Sequence, residues 1–506
     1  MSRKVGVILS YIVIVLEVVS TLLLTPFLIR SLGQAEYGVY KLSIAITTYL
    51  LLFDFGVGNA LIRYISKFRI ANDKVSESRF LGLSSIFYIG VSVLTLVACG
   101  IIILFFPNIF AKGLSADEIV LAKKLVLISS INAAITMLTA PYTNMLIAYE
   151  KFAVSKMASI IQISLKIGIL FLVLYLGYSS IAVCLVNLGL TILCRSFYVI
   201  YSFVSLKARP TLHGVTKPFI KEIVLFSSLI MLQMVATQLN LFVDQILLGM
   251  IVAGASTIIA VYSVGAQIVQ YYQSIGTAFT NVLMPGVVKM VEDGGDSKQI
   301  CSEMVRVGRF IFMVLGIIIV TFIFYGKQFT SLWAGEVNED GYYVAVILMS
   351  VYLLILMQSI GGQILWAKNM HKEQSILKIC IVVLNIGLTI ALIYWKPLIG
   401  AAIGTFISLL AGDVIVSNII YKVKLKISLK DLFIGYAKGI LPSLLIAAAV
   451  AFGFSFLNLP SWWGLAIDIV VTVLAFGCSM LIFGLNDYER SFFKKLLHLE
   501  RKHNNG

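Results

Sequence analysis

The chain has 506 residues, of which 60% are hydrophobic and only 12% charged, whereas a soluble domain carries about 45–50% apolar and about 25% charged residues. An ordinary soluble enzyme is excluded, and at roughly 20 apolar residues per membrane span the content suffices for at most about fifteen spans. The net charge of +15, from 39 basic and 24 acidic residues, falls in short blocks between apolar runs. That is a pattern of membrane topology rather than of a nucleic-acid-binding face.

Apolar runs long enough to span, bounded by charge blocks or by Gly, Pro and Asn, predict fourteen helices of an all-α integral membrane protein. In chain order they cover 7–29, 39–62, 81–106, 125–148, 157–176, 181–205, 223–249, 257–284, 307–325, 342–366, 376–395, 400–421, 437–457 and 463–485. The first run is too long for a signal-peptide core and lacks a small-residue cleavage site, so it reads as the first helix. With the N-terminus inside, 30 of the 39 basic residues fall on the inner side and 7 on the outer. Both termini are therefore expected in the cytoplasm. Trp462 and Trp463 fall where an outer aromatic belt belongs. The tail from Asp487 to His503 sets Phe492, Phe493, Leu496 and Leu497 beside Lys494, Lys495, Arg501 and Lys502, which suits a helix lying on an anionic inner leaflet. None of the six cysteines pairs with another on an outer loop, so no disulfide framework is implied.

Tyr40 with Tyr262, Tyr49 with Tyr271, Asn59 with Asn281, Leu61 with Leu283 and Lys67 with Lys289 repeat at an offset of 222 residues. A duplication of six helices keeps orientation and gives two parallel lobes. The expected organisation is an N-terminal lobe at 1–206, a cytoplasmic linker at 207–222, a C-terminal lobe at 223–421, helices 13 and 14 at 422–486 and an amphipathic tail at 487–506.

A hydrated path shows itself as polar residues stepping by three and four on one helix face. Helix 8 carries Ser263, Gln267, Gln270, Ser274, Thr277 and Asn281; helix 7 carries Gln233, Thr237, Asn240 and Asp244; helix 4 carries Ser129, Asn132, Thr136, Thr139 and Thr143. Hydrogen bonding between helices is the plain reading of an isolated Ser or Thr. The glutamines of helices 7 and 8 favour a lined cavity.

Seven ionisable residues lie inside spans: Glu17, Asp54, Lys166, Arg195, Asp244, Asp413 and Asp468. At about 2.5–3.5 kcal/mol each at the bilayer centre, they would cost on the order of 20 kcal/mol if all faced lipid, so most face protein or water. Asp468 is expected at the outer interface and Asp244 in the outer third of helix 7. Lys166 and Arg195 lie near the middle of helices 5 and 6, with Gln162 on the face of Lys166. Either Glu17 or Asp54 neutralises them as a structural pair, or they face a cavity that receives an anionic group such as a pyrophosphate, Arg as a fork and Lys as a point charge. Carboxylates in such a cavity can carry protons, which makes Asp54 and Glu17 ion-coupling candidates beside Asp244. There is no phosphate loop and no zinc spacing, and the four histidines lie in inner loops or the tail. No metal, no cofactor and no catalytic residue is expected. Gly400 and Gly404 form a GxxxG pair that predicts close helix packing.

The segment Ser31-Leu-Gly-Gln-Ala-Glu-Tyr-Gly-Val-Tyr40, followed by Leu52-Phe-Asp-Phe-Gly-Val-Gly-Asn-Ala-Leu-Ile-Arg63, resembles bacterial polysaccharide and O-antigen flippases of the multidrug/oligosaccharidyl-lipid/polysaccharide exporter superfamily. Ala260-Val-Tyr-Ser-Val264 is similar to the start of that family's second lobe. The resemblance implies two six-helix lobes, alternating access, and transfer of undecaprenyl-pyrophosphate-linked oligosaccharide from the inner to the outer leaflet of the bacterial cytoplasmic membrane. It also implies a cationic cavity, H+ or Na+ as coupling ion, and helices 13 and 14 shaping a lipid-tail groove, with a polysaccharide polymerase as a candidate partner and no nucleic acid. Lys166 and Arg195 are the matching kind of residue, and Gln162, Gln233, Gln267 and Gln270 are the accompanying substrate candidates. A cation-coupled exporter of small amphiphiles, a lipid II flippase and a membrane enzyme of polysaccharide assembly are the alternatives.

Overall fold

The computed structural model describes residues 3–212, 240, 242–368, 370–457 and 461–496, and every regular element among them is helical. Long apolar stretches leave the backbone no partner but itself in a bilayer, so helices are the outcome that satisfies every N–H and C=O. The chain divides into two compact units, Met1–Val264 with His371–Ser408, and Gly265–Met370 with Leu409–Gly506.

The first unit is built from α1 (Arg3–Leu32), α2 (Gln34–Leu50), α3 (Val57–Ile70), α4 (Lys74–Phe110), α5 (Ala116–Leu138), α6 (Ala140–Ala148), α7 (Phe152–Tyr175) and α8 (Ser180–Val204). To these are added α9 (Phe242–Ile251), the first turns of α10 (Ala255–Glu292), α14 (His371–Ile393) and nearly all of α15 (Pro397–Leu409). Helix α5 packs on α2, α4 and α8, and α7 packs on α1 and α8. The expected second span is a broken helix. After α2 the chain makes a 3-10 turn over Leu51–Asp54, then Phe55 and Gly56 take left-handed backbone with φ of 50° and 72° before α3 begins. Glycine accepts that conformation freely and phenylalanine does not. At the other end of α2 the Glu36 carboxylate caps α8, accepting from the Ser180 N–H and hydroxyl at 2.6 Å each.

The second unit holds the rest of α10, α11 (Ser297–Ala334), α12 (Gly341–Met357), α13 (Ser359–Ala367), α16 (Ser417–Lys424), α17 (Leu429–Ala437), α18 (Ile440–Ser455), α19 (Trp462–Ser479) and α20 (Asp487–Leu496). Helix α11 is its hub, packing on α12, α17, α18 and α19. Two wider π segments, Leu410–Val416 with Asp413 and Met480–Gly484, interrupt the helices that become α16 and follow α19.

Among the described residues ten helices are long and apolar enough to cross a membrane, and twelve when the bent pairs α12/α13 and α17/α18 each count as one span. The expected eighth span is the 38-residue α10, whose polar stripe lowers its apolar content. Of the expected seventh span, residues 223–239 lie outside the described residues, as do Leu497 to His503 of the tail and the side chains of Phe492, Phe493, Lys494, Lys495 and Leu496. Asp468, expected near the outer end of its span, is only 3% exposed, and its Oδ1 meets no hydrogen-bond partner among the described residues. Helix α19 packs against both α18 and α11.

Candidate functional site

Five helices of the first unit each turn one polar stripe towards a common cavity of about 580 Å³, within the roughly 300–1,000 Å³ range of ligand sites. Helix α1 gives Glu17, Ser20 and Thr21; α2 gives Tyr40, Thr47 and Thr48; α5 gives Ser129, Asn132 and Thr136; α7 gives Gln162 and Lys166; α8 gives Cys184, Asn187 and Thr191. Spacings of three, four and seven place each set on one helix face.

The hydrogen bonds of this wall have a direction. Thr21 donates to the Glu17 carbonyl at 2.8 Å, Thr47 to Ser43 at 2.8 Å, Thr48 to Ile44 at 2.8 Å and Thr136 to Asn132 at 2.9 Å, while the Asn187 amide donates to Val183 at 3.0 Å. Each group spends a proton on its own helix and keeps oxygen lone pairs for the cavity. The Asn132 Oδ1 has no hydrogen-bond partner among the described residues. The wall is therefore rich in acceptors, and it invites a ligand rich in hydroxyl donors.

Lys166 and Glu17 face this cavity together; the charge of Glu17 acts on Lys166, and that of Lys166 acts on Lys41. Lys41, whose ammonium lies 5.3 Å from the Tyr37 ring centroid, is a residue that sequence reasoning missed. It falls at the start of the expected second span, where a basic residue reads as part of the adjoining loop. Arg195 stands apart from the lining and donates to Thr143 Oγ1 at 2.9 Å. Thr143 nonetheless continues the Ser129, Asn132, Thr136 and Thr139 stripe past the break between α5 and α6.

Asp54 sits at the break between α2 and α3. Its carboxylate accepts from the Tyr88 hydroxyl and from the Gly56 and Gly58 amides, so it is tied to the start of α3 and does not pair with Lys166. Gln267 is buried and donates to Tyr271 at 2.9 Å, while Gln270 is exposed on α10. Gln233 lies outside the described residues.

Asp244 is 2% exposed and lies in a polar network within the first unit. It accepts from Tyr262, from Thr405 at 2.6 Å and from Thr389 at 3.2 Å; both threonines also approach Asn385 Oδ1 at 3.0 Å, and Asn385 donates to Asn240 at 3.0 Å. Proton counting is informative here. The three hydroxyls hold three protons, yet these oxygens make five close contacts among themselves. Two contacts lack a hydrogen; a proton added to the carboxylate would supply one of them, and a small cation held by these oxygens would relieve both. The pairs Asn240/Asp244 and Asn385/Thr389 are legible as i, i+4 steps, but their meeting is not, because 145 residues separate them.

Helical units traversed by apolar spans, the first of them enclosing a polar cavity, define a multi-pass integral membrane protein with a transporter fold. Among solved structures the chain is similar to the lipid II flippase MurJ in an inward closed conformation, with a TM-score of 0.73 at 18% identity over 97% of this chain and 99% of that one. It is also similar to an inward-facing multidrug resistance MATE family transporter of the MOP superfamily (0.64, 14% identity, 79% and 94% covered). A third is a MOP superfamily transporter from Pyrococcus furiosus described for reversed polarity of its binding pocket (0.53, 17% identity, 85% and 94% covered). No curated protein sequence matches significantly. The polysaccharide biosynthesis protein family model matches residues 4–291, and the chain belongs to that family.

Proposed function

We propose that the protein is a flippase, not an enzyme, that carries undecaprenyl-pyrophosphate-linked oligosaccharide from the inner to the outer leaflet of the bacterial cytoplasmic membrane. The observation that carries this reading is the acceptor-rich wall around Lys166. Sugar hydroxyls donate to the lone pairs that the threonines and Asn132 leave facing the cavity, and the lysine ammonium supplies the point charge a diphosphate needs. Gln162 extends the polar contact on α7, Arg195 offers a second cation along the α5/α6 stripe, and Gln233, Gln267 and Gln270 are the contribution of the second lobe. Alternating access of lobes 1–206 and 223–421, joined by linker 207–222, exposes the cavity to each side in turn, with both termini cytoplasmic. Helices 13 and 14 in 422–486 and the tail 487–506 complete the chain. A polymerase would consume the product outside.

Ion coupling belongs first to Asp244, whose network lacks two hydrogens, with H+ or Na+ as the ion and Asp54 and Glu17 as further carboxylates. Proteoliposomes loaded with fluorescent lipid-linked oligosaccharide test both halves. Removing a charge-assisted contact worth about 1.5–3 kcal/mol slows flipping about tenfold or more in Lys166→Ala, and Lys166→Arg restores part of it. Asp244→Asn removes the dependence on the ion gradient. Export of small cationic amphiphiles with no movement of the glycolipid would sink the flippase reading, as would chemical change of the glycolipid by detergent-solubilised protein.

A further inference from the structure

Helix α2 carries two stripes with the same spacing. Ile44, Thr47, Thr48 and Leu51, the last in the turn that follows, face the polar cavity. Ile46, Tyr49, Leu50 and Phe53 face a second cavity of about 510 Å³ in the same unit. A step of two residues turns a helix by about 200°, so the two stripes lie back to back and α2 is a partition.

The second cavity is a groove whose far wall is α4 from Ala98 to Phe110, about 18 Å of helix at 1.5 Å per residue, closed on one side by Ile246 and Met250 of α9. Its floor is buried, with Leu50 at 4% and Phe110 at 3% exposure, and its rim is open, with Ile101 at 52%. Among the described residues the Tyr49 hydroxyl is the sole polar side-chain group in the lining. Such a surface offers water no partners and, in a chain that spans a bilayer, fills with hydrocarbon.

We infer that this groove holds the isoprenoid tail of the lipid-linked cargo, with α2 as the wall between head and tail; this rests on the flippase reading above. Two observations favour the cargo's own tail over a bilayer phospholipid. Both stripes run down to the same place, Leu51 and Phe53, where the helix breaks at Phe55 and Gly56. A single flexible lipid can round that end with its head on one side and its tail on the other. The groove wall α9 also carries Asp244, two residues before Ile246 and thus on the opposite face, so a chain lying in the groove bears on the helix that holds the Asp244 network.

The test uses the full chain in phosphatidylglycerol nanodiscs with undecaprenyl phosphate carrying a diazirine on its tail, and maps the photoproducts. Labels fall on residues 46–53 and 98–110. Ala98→Trp and Ile102→Trp, which fill the groove, lower that labelling about tenfold, equivalent to about 1.4 kcal/mol. The same variants leave binding of a tail-less pyrophosphate-linked oligosaccharide unchanged, and the volume-conserving Ile102→Leu keeps the label. Labelling insensitive to the tryptophans, or displaced equally by excess phosphatidylglycerol, overturns the proposal and leaves a site for bilayer lipid. Tail labels confined to α18 and α19 with flipping intact reject the groove alone; absence of any label together with absence of flipping rejects the flippase reading itself.

Discussion

Arg309 illustrates how much one residue can hold. It is 4% exposed on α11 and grips Glu489, 1% exposed, through Nε at 2.6 Å and Nη2 at 2.9 Å. Its remaining protons go to the carbonyls of Gly435 at 3.0 Å, Lys438 at 2.5 Å and Gly484 at 2.9 Å. All five N–H donors are used, in the fork geometry that lysine cannot reproduce. One side chain thereby joins α11 to the break between α17 and α18, to the end of the π segment after α19, and to the first turn of α20. Asn486 and Glu489 complete that turn by capping each other's amides at 2.8 and 2.9 Å. Removing one partner of a buried pair costs about 3–5 kcal/mol because the other charge is left uncompensated. Arg309→Met is therefore expected to lower the melting temperature of the purified protein and to make α20 sensitive to protease, with Arg309→Lys intermediate. An unchanged melt with α20 still protected would show that the pair contributes little. From the sequence Arg309 is one more basic residue on the inner side of helix 9; its partner lies 180 residues away.

At the scale of elements, the GxxxG pair has a specific task. A Cβ on Gly400 would overlap the Leu392 carbonyl, and one on Gly404 would lie 2.7 Å from Thr389 Oγ1 and 2.8 Å from its Cα. Only glycine lets α15 approach α14 this closely, and the approach brings Thr389 and Thr405 to the same Asp244 carboxylate. Gly404→Leu should separate the helices and weaken the ion dependence of transport about tenfold, the loss of about one hydrogen bond to a charged group. Gly90→Leu, where a Cβ meets nothing within 4 Å, should change neither folding nor coupling; equal effects at the two sites would refute the packing argument. The same elements mark what the sequence makes legible. Apolar length fixes where helices lie, and steps of three and four fix which face is polar, so Gln162 with Lys166 and Ser129 with Asn132 and Thr136 were readable as inward stripes. The break at Phe55 was not, because hydropathy stays high across it. Nor was the assignment of charges to partners, since Asp54 finds Tyr88, and Arg195 finds Thr143, only once the helices pack.

At the scale of the whole molecule, the net charge of +15 acts through its distribution. Basic residues resist translocation, so the side that collects them is the side that stays in the cytoplasm. In the topology expected from the sequence, the turn at Leu425 to Ser428, between α16 and α17, falls on the side with 30 of the 39 basic residues, and the segment Gly335 to Asp340, between α11 and α12, on the side with 7. Glu339 of that second segment pairs with the basic Lys327 at 3.2 Å, which offsets the lysine's positive charge locally. On the flippase reading proposed above, the direction of transport depends on this orientation, because a flippase inserted the other way would work from the wrong leaflet. In a chain with its six cysteines replaced by serine or alanine, Glu336→Cys should react with a membrane-impermeant maleimide in intact cells, and Lys426→Cys only after permeabilisation. The reverse pattern would place both termini outside and turn the proposed inner-to-outer movement around, while labelling of both positions in intact cells would mean that charge does not set the topology.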